Sequence, residues 1–248
     1  MFNDTPRLFI GMLESGDRKT PDMVIYNVNR AVKHGVDKSY FKVEKDMTLG
    51  GISLVSGARN IMTLEFLKTK ATHLLWIDND MLIIKPDAIA NLISQKKDMI
   101  CGVYTSRQLP LRLVFRTSAD KKNDFAEEYA LIKKGEPFKV ETAGFGLMLV
   151  SRKCIEVVYQ YVKDNEPTGM AYQPFVYKGD YQGEDGAFTL RAGRCGFDTW
   201  VDPRVLIGHF GLYPFTIIDW LDYYEQKQGI KKVQRFDTGE YIEPSLNA

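Results

Sequence analysis

His73-Leu74-Leu75-Trp76-Ile77-Asp78-Asn79-Asp80 is an apolar run that ends in two aspartates with one residue between them. An unbroken apolar run of this length, bounded by polar residues, fits a strand covered on both faces, as in the middle of a parallel sheet. In an open α/β sheet, ligands collect just beyond the carboxyl ends of such strands. Side chains two apart on an extended segment point the same way, so Asp78 and Asp80 can present their carboxylates to one point in space. Clustered carboxylates repel unless positive charge sits between them, and a divalent ion held by oxygen also attracts a diphosphate. The plainer reading has Asp78 ending a strand and Asp80 capping a turn, where aspartate is common.

Upstream of this stretch, residues 7–12 read as a first strand, 21–33 as a helix with apolar residues at helical spacing, and 41–44 as a second strand. Gly50-Gly51 breaks the chain before a helix over 53–69, in which Val55, Ala58, Met62 and Phe66 form one apolar stripe. The loop after the first strand carries neither the glycine fingerprint of a dinucleotide site nor the Gly-Lys-Ser/Thr of a phosphate loop. Arg59 and Asn60 stand on the helix just before the organising strand. Arginine meets a phosphate or a base edge with a planar fork of donors, whereas the plainer reading is a solvated helix arginine. Downstream, Lys85-Pro86-Asp87 opens a further helix, with proline suited to its first turn. Residues 98–104 form the next central strand, and Tyr104-Thr105-Ser106-Arg107 lies at its carboxyl end, on the same rim as the aspartates. A polar, aromatic rim of this kind suits contact with a sugar, although rim loops are polar in any case.

From 111 to 140 the pattern changes to alternating stretches, 112–116 and 129–132, separated by the charged loop 120–124, which predicts an antiparallel ribbon or an insertion. Gly144-Phe145-Gly146 precedes the apolar strand 147–150. Such glycines let a backbone approach a ligand closely, or mark a bulge. Ser151 is placed to cap a helix that runs to about residue 163. Residues 165–182 hold Tyr172, Phe175, Tyr177 and Tyr181 without a clean period, a candidate stacking platform for an acceptor or a packed surface loop. Gly183-Glu184-Asp185 begins a helix that ends near Arg194, and its dipole favours ionised carboxylates at that end. Residues 197–201 read as a strand, Asp202-Pro203 as a turn, and 205–211 as an apolar run that brings His209 up between glycines. A lone histidine is commonly structural, yet one imidazole with two carboxylates suits manganese better than magnesium. Residues 214–228 form an amphipathic helix, and 231–248 a tail.

With 248 residues the chain is long enough to bury one large α/β core. Its 33 basic and 32 acidic residues give a formal charge of +1, and so no overall field toward nucleic acid or an anionic membrane. Three widely spaced cysteines suit reduced core thiols in a cytoplasmic protein. There is no apolar run of the roughly 18 residues that a membrane span needs, and no secretory signal, so a soluble protein is expected. Nothing fixes the oligomeric state.

Taken in order, Ala58-Arg59-Asn60, Ile77-Asp78-Asn79-Asp80, Gly144-Phe145-Gly146, Gly183-Glu184-Asp185 and His209-Phe210-Gly211 resemble the GT-A glycosyltransferases, closest to family 2-like enzymes of viruses, phages and bacteria. The resemblance covers about residues 5–212. It implies an α/β fold with a Rossmann-like nucleotide-binding sheet, mostly parallel, and a smaller mixed sheet, over a domain of residues 1–212 with a helix and tail at 213–248. It implies transfer of a sugar from a nucleoside diphosphate sugar, a UDP-sugar first among donors, with Mn2+ or Mg2+. By the same resemblance Asp80, Asp78 and His209 hold the metal, and Arg59, Asp78, Asn79, Gly144 and Tyr104 meet the donor. Asp185, with Glu184 behind it, deprotonates the acceptor in an inverting reaction. The acceptor expected is a glycan or a lipid-linked sugar, with a modified base in phage DNA as a variant. Two other classes compete: a sugar-phosphate nucleotidyltransferase, which would release pyrophosphate, and a noncatalytic nucleotide-sugar binding module.

Overall fold

In the computed structural model, residues 5–14, 19–107, 110–118, 124–211 and 214–230 are described, together with the backbone of two short strands beyond them. The elements run β1 (Arg7–Leu13), α1 (Asp22–Asp37), β2 (Lys42–Leu49), α2 (Val55–Leu67), β3 (His73–Asp78), β4 (Met81–Ile83), α3 (Ala88–Ser94) and β5 (Met99–Val103). There follow β6 (Phe115–Arg116), α4 (Phe125–Lys134), β7 (Phe138–Val140), β8 (Thr142–Ala143), β9 (Leu147–Ser151), α5 (Arg152–Asn165), β10 (Phe175–Tyr177), β11 (Asp180–Gln182) and α6 (Glu184–Arg194). The chain closes with β12 (Thr199–Phe210), β13 (Pro214–Phe215), α7 (Ile217–Lys227), β14 (Val233–Gln234) and β15 (Tyr241–Ile242).

The apolar run decides this architecture because Leu74, Leu75, Trp76 and Ile77 are all wholly buried. Alternation along the strand sends Leu74 and Trp76 to one face and Leu75 and Ile77 to the other. The first face packs under Ala58, Met62 and Phe66 of α2 and under Ile155, Val158 and Val162 of α5. The second packs under Val24, Val28 and Ala31 of α1 and under Ile89 and Leu92 of α3. Burying each large side chain of the strand contributes roughly 1.5–3 kcal/mol, so β3 is a main source of cohesion between the helical layers.

The central sheet has the order β13-β12-β5-β9-β3-β1-β2. Strands β1, β2 and β3 pair in parallel, as do β5 and β12. The exception within the core is β9, antiparallel to both β3 and β5. The protein is therefore α/β, with a mostly parallel central sheet and small antiparallel sheets beside it. The organising strand lies between a parallel and an antiparallel neighbour. A run buried on both faces reads the same in either direction, so its sequence does not reveal β9.

Three expectations are corrected. Residues 129–132, read as ribbon, belong to helix α4, whose N-cap Asp124 accepts from the Ala126 N–H and whose end is set by Gly135 at φ 70°. The ribbon is confined to β6 on β8 and a bridge between Thr105 and Leu113. Asp202-Pro203 does not separate two strands: β12 runs through it as twelve residues, with its register to β5 shifted between Asp202 and Leu206. Buried Asp202 accepts from Nε and Nη2 of Arg204, which fixes that irregularity. Finally, residues 165–182, read as a stacking platform for an acceptor or a packed surface loop, contain regular structure that the sequence does not mark. Tyr172 is fully buried and stacks on Phe188 at 4.6 Å, while 175–182 form the hairpin of β10 and β11.

Candidate active site

The short strand β4 carries no signal of its own in the sequence, and it brings the site together. It pairs antiparallel with the end of β12, with Met81 opposite His209. That register sets the residue before Met81 beside His209, and the Phe210 N–H donates to the Asp80 carbonyl at 2.6 Å. His209 Nε2 then lies 3.4 Å from Asp80 Oδ2. The other ring nitrogen, Nδ1, is 2.7 Å from the Thr105 carbonyl. A carbonyl only accepts, so Nδ1 carries a proton, and in the neutral ring the Nε2 lone pair is turned to the carboxylate. Two facing lone pairs require a proton or a cation between them. Tyr104 supports the ring from the side, edge-on at 5.6 Å. Arg107 Nη1 reaches the same Asp80 Oδ2 at 2.5 Å. Burial acts to raise the pKa of Asp80, but the hydrogen bond and charge of His209 and the charge of Arg107 outweigh it and hold the carboxyl below its ordinary value.

A second cluster adjoins this one. Arg59 on α2 is 1% exposed, with its guanidinium 5.1 Å from the Trp76 ring and 5.2 Å from the Phe145 ring. Its Nη2 is 3.1 Å from Asp78 Oδ1 and 3.1 Å from Asp185 Oδ1, and its Nε is 3.9 Å from Glu184 Oε1. One nitrogen thus joins the tip of β3 to the first turn of α6. Burial disfavours the charge on Arg59, yet Asp185, Asp78 and Glu184 together keep it protonated. Asp185 also accepts from the Phe145 N–H at 3.0 Å. Burial pushes its carboxyl up, Arg59 offsets part of that, and the charges of Glu184 and Asp78 add to the rise, leaving a pKa of about 7.

Gly144 and Gly146 sit where no side chain fits. A Cβ on Gly144 would lie 2.1 Å from Tyr104 Oη, and one on Gly146 would lie 2.7 Å from Met81 Cε. Tyr104 Oη in turn accepts from the Gly146 N–H at 3.1 Å. Burial drives the Tyr104 phenol well above its usual range, so the ring remains a neutral prop under the glycines. Asn79 is buried as well, in the turn between the two aspartates. A cleft of about 390 Å³ opens over Gly144, Glu184 and Asp185, walled by Arg112, Arg116 and Tyr181. Tyr181 is 70% exposed.

The residues singled out in the sequence therefore fall into two adjoining groups. Asp80 and His209 form one with Arg107; Asp78, Arg59, Asp185 and Glu184 form the other; Tyr104, Asn79 and Gly144 pack beneath or beside them. Asp78 turns its Oδ1 to Arg59. Among the described residues, no three His, Cys, Asp or Glu side chains come together as a ready metal cluster. Arg59, read as a donor contact, is turned inward onto carboxylates and rings. The sequence places Arg107 on the rim but gives it no role. The signal that would have found it is its position three residues past Tyr104, at the end of β5, the strand that pairs with the one carrying His209.

No protein-family model matches the chain, and no curated protein matches it in sequence. Among solved structures, A197 from STIV superposes with a TM-score of 0.52 at 18% identity, over 83% of this chain and 86% of that one. GalNAc-T7, solved with UDP, GalNAc and Mn2+, superposes with a TM-score of 0.51 at 12% identity over 84% of this chain. The fold is that of the GT-A glycosyltransferases. At these identities the likeness shows the fold alone, and this chain spans 43% of the GalNAc-T7 chain, less than half. Among the described residues, no helix is long and apolar enough to cross a membrane.

Proposed function

We propose that the protein is a metal-dependent glycosyltransferase that moves a sugar from a nucleoside diphosphate sugar to an acceptor hydroxyl with inversion. The observation that carries this reading is the pairing of Asp80 Oδ2 with His209 Nε2 at 3.4 Å, with Nδ1 tied back to a carbonyl. Two neighbouring ligands about 2.1–2.3 Å from one ion stand roughly 3.0–3.5 Å apart, and a histidine held through its second nitrogen is the common form of a metal ligand. The donor set thus fits one divalent ion, and its imidazole favours Mn2+ over Mg2+. GalNAc-T7, of like fold, was solved with UDP, GalNAc and Mn2+, which supports a divalent ion and a UDP-sugar here. When bound, the ion would offset the charge that grows on the leaving diphosphate.

The protein's own groups supply the rest. Asp185, held by Arg59 and the Phe145 N–H and facing the cleft, takes the proton of the acceptor hydroxyl. The freed oxygen forms its bond to the anomeric carbon as the bond from that carbon to the phosphate oxygen breaks, and the nucleoside diphosphate leaves. Attack from the face opposite the leaving group inverts the centre. Gly144 lines the cleft with Tyr104 and Val114 filling the place of a side chain behind it, and Asp78 stands between Arg59 and the donor. The hairpin residue Tyr181 offers an exposed ring to an acceptor glycan or lipid-linked sugar at the cleft mouth.

The test is a panel of nucleoside diphosphate sugars incubated with the protein and Mn2+, or with a chelator. Release of nucleoside diphosphate that needs metal and is lost in Asp80→Asn supports the reading. Binding without turnover of any donor would leave a binding module. Release of pyrophosphate from a nucleoside triphosphate and a sugar phosphate would make it a nucleotidyltransferase.

A further inference from the structure

Asp80 Oδ2 serves two partners at once: Arg107 Nη1 at 2.5 Å and His209 Nε2 at 3.4 Å. A divalent ion joining Oδ2 to Nε2 needs the same oxygen that the guanidinium holds, and two cations so close together repel strongly in a partly buried site. The three side chains differ in freedom. Asp80 and His209 are 20% and 14% exposed, and their elements are fastened by the Phe210 N–H bond to the Asp80 carbonyl and by the Nδ1 contact to Thr105. Arg107 is 46% exposed and is the arm able to leave. Its stem lies against Gly211, just past His209, with Cβ 3.3 Å from where a Gly211 side chain would begin. The adjoining Ser106 lines the acceptor cleft, so the arm is rooted between the ion pair and the cleft.

We propose that Arg107 is a placeholder cation: it occupies Asp80 Oδ2 before a divalent ion arrives, yields that oxygen to the ion, and turns its freed guanidinium to the donor's diphosphate. This rests on the metal-dependent reading above and adds to it a residue that reports whether the site is loaded. A planar fork of donors matches a diphosphate as well as a carboxylate, so the arm exchanges one anion for another when the donor comes in with its metal. The exchange also gives an order. The empty site stays neutralised, and the ion binds best when a diphosphate is present to receive the arginine.

The experiment is Mn2+ titration followed by electron paramagnetic resonance, without nucleotide, on the wild type, Arg107→Ala, Arg107→Lys and Asp80→Asn. Arg107→Ala should bind Mn2+ alone about three- to tenfold more tightly than the wild type, since a half-exposed ion pair is a modest competitor, with Arg107→Lys between them and Asp80→Asn weakest. In saturating Mn2+, UDP titrated calorimetrically should bind Arg107→Ala several-fold more weakly than the wild type. If Arg107→Ala takes up Mn2+ alone no more tightly than the wild type, or holds UDP equally well, the placeholder is overturned while the metal reading stands. If Asp80→Asn binds Mn2+ as the wild type does, both are overturned.

Discussion

At Asp185, burial and the carboxylates of Glu184 and Asp78 push proton affinity up while Arg59 and the Phe145 N–H hold it down, and the balance falls at about 7. A base must be deprotonated to work, so the rate of transfer should climb with pH up to about 7 and level off above it, as a pH profile of kcat/KM will show. Glu184→Gln removes one of the charges that raise Asp185, and should move the rising limb to lower pH. Asp185→Asn keeps the shape and removes the base, so transfer should fall by about 10²–10⁴ with its pH dependence gone. The same shift has a stability consequence. The folded carboxyl holds its proton to about 7, against 3.8 for the ordinary group. Its favourable contribution is full below the lower value and lost as pH rises through the upper one. Melting temperatures of Asp185→Asn relative to the wild type should therefore improve as pH rises from about 5 to about 8; a constant difference would contradict the origin given for the shift.

At the scale of elements, β3, α2 and α6 were legible because each carries its own signal: an unbroken apolar run, a stripe at helical spacing, and glycine followed by acids at a helix start. Helix α4 was misread although its ends are marked by Asp124, by Glu127 and Glu128 in the first turn, and by Lys133, Lys134 and Gly135 at the close. The alternation at 129–132 hid them. Asp124→Ala should cost about 1 kcal/mol through loss of the cap, seen as a lower denaturant midpoint at unchanged slope. Strand β4 was illegible for a different reason. Three residues hold no period, and it exists because the end of β12 pairs with it. The meeting of His209 with Asp80 is thus written in long-range register, while each residue alone was visible as a candidate. Arg59 shows the converse, since its place on the helix was plain but its inward turn depends on the rings of Trp76 and Phe145.

Across the whole molecule, the last helix is tied to the cleft. Trp220 of α7 is fully buried in the same core as Trp76 and Phe145. Tyr224 stacks on Phe125 at 4.4 Å, and its hydroxyl donates to the Leu111 carbonyl at 3.3 Å. The segment so braced continues into Leu113, Val114 and Phe115 of the cleft wall. Trp220→Ala should lose about 3–5 kcal/mol in chemical denaturation. Under conditions where it remains folded, it should raise KM for the acceptor more than for the donor, because the wall it braces lies on the acceptor side. The proposed ion has one place to sit, the gap between Asp80 Oδ2 and His209 Nε2. A crystal grown with Mn2+ and UDP, measured for anomalous scattering, addresses it directly. The prediction is a single strong peak about 2.1–2.3 Å from both atoms with the diphosphate beside it; a peak elsewhere, or UDP bound with Arg107 still on Asp80 and no ion between, would contradict it.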